Sequence, residues 1–238
     1  MTGITRIVLI LAIATVIICL SIAASAQELE KPLNATIDFS ERRFNFGFLP
    51  KGVHAVHTYT IENKGTDTLR IIKVSPTCGC TNAPLGKSDI GPGDSTSLDM
   101  FFDSKKFSGK VTKKISILSN DPKDPYTDIS FTAQVDRVHP FVTAKPNVIE
   151  TKGKSASTYK VKLTNTGTDP LEIKIVGSSV PYIEAKLSRE KMEIGASVDL
   201  IVKIKKKYEA FKETWYSVTL ETNDPANYRL TIPMHVPQ

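Results

Sequence analysis

The chain carries one module twice, and this duplication limits its possible folds more than any other feature. YTIENKGTDTLRIIKV (59–74) aligns with VKLTNTGTDPLEIKIV (161–176), giving the same N-x-G-T-D-x-L turn in each, and SNDP (119–122) returns as TNDP (222–225). The separations agree: Asn63 to Asn165 and Gly93 to Gly195 are 102 residues apart, and Asp121 to Asp224 is 103. Near-constant spacing over so long a stretch implies a duplicated domain. Where the first copy reads Cys78-Gly79-Cys80, the second reads Val180-Pro181-Tyr182. The module therefore does not need the cysteines to fold, and a local role is expected for them.

Period-two alternation dominates both copies. Leu98, Met100 and Phe102 alternate with smaller or polar neighbours, as do Ile129, Phe131, Ala133 and Val135. The second copy repeats the pattern in Val198, Leu200, Val202 and Ile204, and in Leu230, Ile232, Met234 and Val236. Such alternation, with turn signals every few residues, predicts antiparallel sheets with one wet face. The fold class expected is all-β, as two tandem immunoglobulin-like β-sandwiches without the inter-sheet disulfide of antibody domains. The sandwiches are placed at 27–137 and 138–238, joined near Arg137–Pro140 and lying end to end. Asn63 with Gly65, and Asn165 with Gly167, are expected to reverse the chain through positive φ. Gly91-Pro92-Gly93 reads as a tight turn, and the prolines after Asp121 and Asp224 as strand stops.

Residues 1–26 read as a signal peptide: Arg6 is the basic start, Ile7–Ile22 the apolar run, and Ala24-Ser25-Ala26 the small-x-small cleavage site. The apolar run is short for a membrane span, so cleavage after Ala26 is expected, with membrane contact only if the segment is retained. Cleavage would leave residues 27–238, which are 212 residues carrying 30 basic against 25 acidic side chains, or +5. Cys19 would leave with the leader, so two cysteines would enter an oxidising periplasm or cell surface. The basic excess is mild and scattered. Lys205-Lys206-Lys207 reads as a solvated hairpin end, and nucleic acid is not an expected partner.

Phe44-Asn45-Phe46-Gly47, Asn63-x-Gly65, Cys78-Gly79-Cys80-Thr81 and Gly91-Pro92-Gly93 together resemble the domain of unknown function 1573 family. The resemblance covers roughly Ile37–Val135 with all its motifs. That family occurs in exported proteins, notably of Bacteroidetes and planctomycetes, and is related to ASH and hydin-type immunoglobulin-like modules. The second copy keeps the N-x-G and N-D-P elements, lacks F-G and C-G-C-T, and resembles the broader superfamily. The resemblance implies an architecture and an exported location, and it gives no substrate.

Three readings of Cys78 and Cys80 stay open. The pair is a disulfide or rigid loop element, a thiol–disulfide exchange site whose small ring is strained unless Gly79 adopts a glycine-only turn, or a ligand pair for a soft ion such as Cu(I). Structural zinc would need two more ligands. His54 and His57 lie three apart on a strand and cannot both join easily. His139 and His235 read, with them, as scattered surface histidines. Asp121, Asp124 and Asp128 lack the EF-hand pattern and read as turn residues. Phe44, Phe46 and Phe48 are expected in core or edge packing, and either Trp215 or Tyr216 in the second core. The chain is expected to be a non-enzymatic binding or scaffolding protein without cofactor, acting on an unknown protein or cell-envelope partner. The alternative is an accessory thiol-redox or copper-handling protein working through Cys78 and Cys80.

Overall fold

Alternating apolar residues become strands throughout, because a pleated backbone turns successive side chains to opposite faces. The computed structural model describes residues 34–137, 139–151, 157–178, 183–205, 214–225 and 228–237. The expected leader with Ala26, the Val180-Pro181-Tyr182 segment, and Lys206 and Lys207 lie outside the described residues. Every regular element among those described is a strand. The first copy gives β1 (Ile37–Phe39), β2 (Arg43–Leu49), β3 (His54–Asn63), β4 (Leu69–Pro76), β5 (Thr81–Asn82), β6 (Asp89–Ile90), β7 (Ser95–Asp103), β8 (Gly109–Ser119) and β9 (Tyr126–Val135). The second gives β10 (Val142–Lys145), β11 (Ile149–Glu150), β12 (Thr158–Asn165), β13 (Leu171–Ser178), β14 (Ile183–Leu187), β15 (Lys191–Met192), β16 (Ser197–Ile204), β17 (Thr214–Thr222) and β18 (Arg229–Val236).

Each copy owns a small sheet, ordered β1-β3-β7-β5 in the first and β10-β12-β16-β14 in the second. The opposing layers of the two sandwiches are one continuous sheet of ten strands, ordered β15-β13-β17-β18-β2-β9-β8-β4-β6 with β11 also on β18. The end-to-end arrangement expected from the short linker is therefore corrected. The sandwiches sit side by side along a shared sheet, because β2 pairs with β9 on one side and β18 on the other.

Two cores result. Phe46, Tyr59, Phe102 and Phe131 fill the first, and Leu163, Leu200, Val202 and Leu220 the second, all essentially without solvent exposure. Each large apolar side chain buried in this way stabilises by about 1.5–3 kcal/mol. Tyr59 keeps its phenol neutral: burial, then the Glu41 carboxylate, pushes its pKa well above the ordinary value. Its hydroxyl donates to Ser130 O at 3.0 Å.

The duplicated turn works differently from expectation. Neither Gly65 nor Gly167 is among the positive-φ glycines, which among the described residues are Gly47, Gly52, Gly93, Gly109 and Gly195. The asparagine is instead a buried tie. Asn63, fully buried, accepts at Oδ1 from Gly65 N (2.9 Å) and donates from Nδ2 to Asp67 O (2.7 Å) and Ile90 O (2.9 Å). Its backbone exchanges bonds with Asp94 O and Gly93 N, which the left-handed Gly93 (φ 76°) brings into reach. Asn165 repeats the pattern with Gly167 N, Asp169 O and Met192 O, and with the turn at Gly195 (φ 73°). Thus N-x-G and the Gly91-Pro92-Gly93 turn are one device, pinning two loops to the end of a core strand.

The N-D-P turn is a second tie. Asp121 accepts from Ile37 N (2.9 Å), Lys123 N (2.8 Å) and Asp124 N (3.2 Å). Burial alone would raise its pKa, but these three amides hold it below the usual carboxylate range. Asp124 and Asp128 turn elsewhere, toward Arg42 and toward Ser116 and Lys114.

Asn63→Ala strands a buried amide and two carbonyls. It is expected to lower stability by roughly 2–4 kcal/mol in urea unfolding, whereas exposed Thr66→Ala in the same turn should change it by less than about 0.5 kcal/mol.

Candidate functional site

The residues singled out in the sequence fall into three separate places. Asn63, Gly65, Gly91 and Gly93 build the tie just described. Cys78, Gly79, Cys80 and Thr81 sit at the opposite end of β4, where the chain leaves one sheet for the other. Phe46 and Gly47 lie in β2, at the joint between sandwiches.

At the sheet switch, β4 ends at Pro76 paired with Ile115, and β5 begins at Thr81 paired with Phe102 of the facing sheet. The crossing is anchored by Thr77 N to Lys114 O (3.1 Å) before it and by Asp103 N to Cys80 O (2.9 Å) at its end. The two sulfurs are bonded to each other. Both cysteines are half-buried, Cys80 packs against the first core, and the buried Thr81 hydroxyl lies 3.7 and 3.8 Å from the two sulfurs. Gly79 is exposed, has no positive φ, and a Cβ there would meet nothing within 4 Å. Gly79 therefore does not adopt a glycine-only turn. Among the described residues no three His, Cys, Asp or Glu side chains converge to hold a metal ion.

At the joint, an extra residue in β2 decides everything nearby. The β2–β9 register slips between Asn45 and Phe48, a bulge centred on Gly47 in the left-handed region (φ 64°). Before the bulge Phe44 and Phe46 face the first core; after it Leu49 does, so Phe48 points the other way and packs on the second core. Gly47 also admits the neighbouring backbone. A Cβ at this position would lie 1.9 Å from Arg229 O and 2.2 Å from Arg229 C.

Polar groups close the seam around this approach. Thr231 Oγ1 donates to Phe46 O at 2.6 Å, Asn45 Nδ2 donates to Tyr228 OH at 3.0 Å, and Arg229 Nη1 reaches Asn45 O at 3.3 Å. Arg229 spans Glu221 (2.9 Å) and the rings of Phe44 and Tyr228, each 5.4 Å away. Farther along, Val56 N donates to Ser217 Oγ at 3.0 Å, which covers the part of β3 that β1 leaves open.

The histidines expected to be scattered over the surface gather on or beside this seam. Trp215 packs on the first core, not the second, and stacks between His54 (5.5 Å) and His235 (4.5 Å); Tyr216 fills the second core. His235 Nδ1 meets Glu150 at 2.9 Å while its Nε2 is buried without a hydrogen bond. His57 stacks on Phe44 at 3.6 Å, its Nε2 3.0 Å from Glu41 Oε1, an ion-pair approach without hydrogen-bond alignment. His139 is buried, and its Nδ1 accepts from Phe141 N and Val142 N. The sequence carries one signal of the seam: a glycine inside a strand pattern marks a bulge or a close backbone approach.

Residues 37–135 match the family described as protein of unknown function (DUF1573). No curated protein matches the chain. A protein of unknown function from Porphyromonas gingivalis W83 superposes with a TM-score of 0.36 at 12% identity, over 85% of this chain and 99% of that one. The YadV chaperone does so at 0.35 and 11%, over 84% and 99%. The ASH/PapD-like domain of human CEP192 gives 0.35 and 11%, over 47% and 93%. These likenesses are of fold alone.

Trp215 is the only tryptophan in the chain and reports on the joint. Gly47→Ala drives a methyl into the Arg229 backbone and should cost roughly 3 kcal/mol or more while shifting Trp215 emission to the red. Gly52→Ala, with positive φ but open space, should leave the emission unmoved.

Proposed function

We propose, from the premise that residues 37–135 are a domain of the DUF1573 family, that this chain is an exported, non-enzymatic binding or scaffolding protein. It works in the periplasm or at the cell surface, on a protein or cell-envelope partner, with its two sandwiches acting as a single platform. The observation that carries this reading is the shared ten-stranded sheet. Lobes joined by backbone pairing at β2 and β18 hold the surfaces they build together in a fixed relation, so a partner does not have to order them on binding. The polar side chains of the seam are occupied in making that joint, which suits a structural role better than a catalytic one. The leader-like first 26 residues support export.

The test is recovery of partners from the native envelope with the full chain as bait, compared with Gly47→Ala. A specific partner retained by the wild type and lost with the uncoupled variant is expected. Intact-mass measurement of the envelope protein should find a chain beginning near Gln27. A bait that retains nothing above an unrelated sandwich protein would sink the binding reading, and an uncleaved N-terminus would sink release from the membrane.

The bonded, half-buried cysteine pair favours a second reading, thiol–disulfide exchange with a dithiol partner, the reduced pair being the form able to take copper. Thiol counting with and without reductant, and copper titration of the reduced chain, separate it from a structural pair. Cys78→Ser with Cys80→Ser should keep the fold, with a stability loss below about 2 kcal/mol because the closed loop is so short. Loss of an exchange or copper-binding activity in that folded variant would favour the second reading over the scaffold.

A further inference from the structure

A concavity that both sandwiches build lies beside the joint. It is a cleft of about 520 Å³ between the end of β2, the residues Asp136, Arg137 and His139, the start of β18 and β10. Four consecutive residues of β10, Val142 to Lys145, line it. Consecutive residues of a strand point to opposite faces, so a cleft touching all four runs along the edge of the strand and not over one face. That edge carries no strand among the described residues, since β10 ends its sheet and pairs only with β12.

The hydrogen-bond pattern says which backbone groups face the cleft. Thr166 N donates to Phe141 O across the β10–β12 ladder, while Asn165 N turns the other way, to Ala196 O. Antiparallel alternation then directs Thr143 and Lys145 to β12, and Val142 and Ala144 to the free edge. Val142 N is met there by His139 Nδ1 at 3.0 Å, which places that edge on the side of the cleft-lining connection. Val142 itself is buried, so both polar groups of the half-buried Ala144 are what is left to pair with an added strand.

Charge selects among added strands. Lys51, Arg137 and Lys145 are exposed around the cleft against the single acid Asp136, and none of the three cations is in an ion pair among the described residues. The floor between them is apolar, formed by Phe48, Leu230 and Ile232. One lysine on an edge is a common guard against unwanted pairing. Three unpaired cations around a concave apolar floor instead make an entry that favours acidic chains.

We propose that this cleft binds an extended acidic polypeptide segment, which pairs as a short strand at Ala144, sets alternate apolar side chains toward Phe48 and Ile232, and meets Lys51, Arg137 and Lys145 with its carboxylates. Backbone pairing supplies affinity and the alternate side chains supply selection. Lys145 and the following Pro146, which has no amide to donate, close the far end and keep the added strand short. This inference rests on the binding function proposed above and names the partner class for one surface of it.

The probe is a fluorescein-labelled peptide of alternating glutamate and valine, about eight residues long, titrated against the full chain by anisotropy. Saturable binding is expected, with at least about tenfold weaker binding for the lysine–valine counterpart and for Arg137→Glu with Lys145→Glu. N-methylation of one alternate set of peptide amides should abolish binding while the other set tolerates it, because only one set faces β10. That readout needs no change in the protein and is independent of variant folding. No binding, equal binding of the lysine peptide, indifference to both methylation sets, or displacement by polygalacturonate without regard to peptide sequence would each overturn the proposal. If the charge-reversed variant still retains the native envelope partner, this site fails while the binding function stands. If the peptide binds but no envelope partner is recovered, the reverse holds.

Discussion

The backbone of Arg229 passes so close to Gly47 that a β-carbon cannot fit between them, and the relation of the two sandwiches follows from that approach. A strand can serve two sheets only if its neighbours reach it from both sides. On the β9 side the reach is ordinary pairing; on the β18 side it requires a residue without a side chain. The left-handed conformation at Gly47 (φ 64°) adds the bulge, and the bulge reverses the facing of every residue after it. A single glycine thus opens the gap for Arg229 and turns Phe48 into the second core. The seam hydrogen bonds from Thr231, Asn45 and Arg229 are consequences of that proximity, since each involves Asn45 or Phe46, within two residues of Gly47.

The joint also resolves a problem that any pair of open sandwiches faces. An uncovered strand edge is a template for pairing with other chains. Here β18 would show such an edge along most of its length; β2 covers it at Leu230 and β11 covers it at Met234 and His235. β3 has the same difficulty, because β1 pairs only with Ile61 to Asn63, and Ser217 of the second sandwich supplies a partner at Val56. The edges are managed between lobes, so separating the lobes would expose both at once. β10 is treated differently: its outer edge borders an open cleft, guarded at one amide by His139.

What was legible in the sequence is what repeats locally. Alternation in Ile129–Val135 and Val198–Ile204 gave the strands, and the recurrence of Asn63 as Asn165 gave the duplicated module. The turn was located correctly but for the wrong reason. Gly65 was credited with positive φ, whereas the buried Asn63 side chain does the work, and a buried amide cannot be told from an exposed one by its spacing to a glycine. The seam was not legible because its contacts pair residues more than 160 positions apart, such as Phe46 with Thr231. Nothing in the periodicity of either strand announces such a partner. The choice between Trp215 and Tyr216 for the second core is open in the sequence for the same reason: alternation says which residues face inward, not whose interior they face, and Tyr216 is the one that fills it.

The two copies have diverged where their positions in the pair differ, and the motif pattern follows from this. Both keep the asparagine tie, which each sandwich needs for its own loops. Only the first copy carries Phe46-Gly47, because only β2 has a second strand to receive; β11, its counterpart along β18, places Ile149 in its own core and has no bulge to make. The cysteines follow the same logic at the sheet switch. In the first copy β5 is two residues long and pairs at Phe101 and Phe102, with a separate bridge from Leu85 to Leu98 beyond it. In the second, β14 pairs with β16 over five residues, from Ile183 to Leu187, and the ladder itself holds the strand in place. The bonded Cys78–Cys80 pair therefore precedes the shorter of the two corresponding ladders.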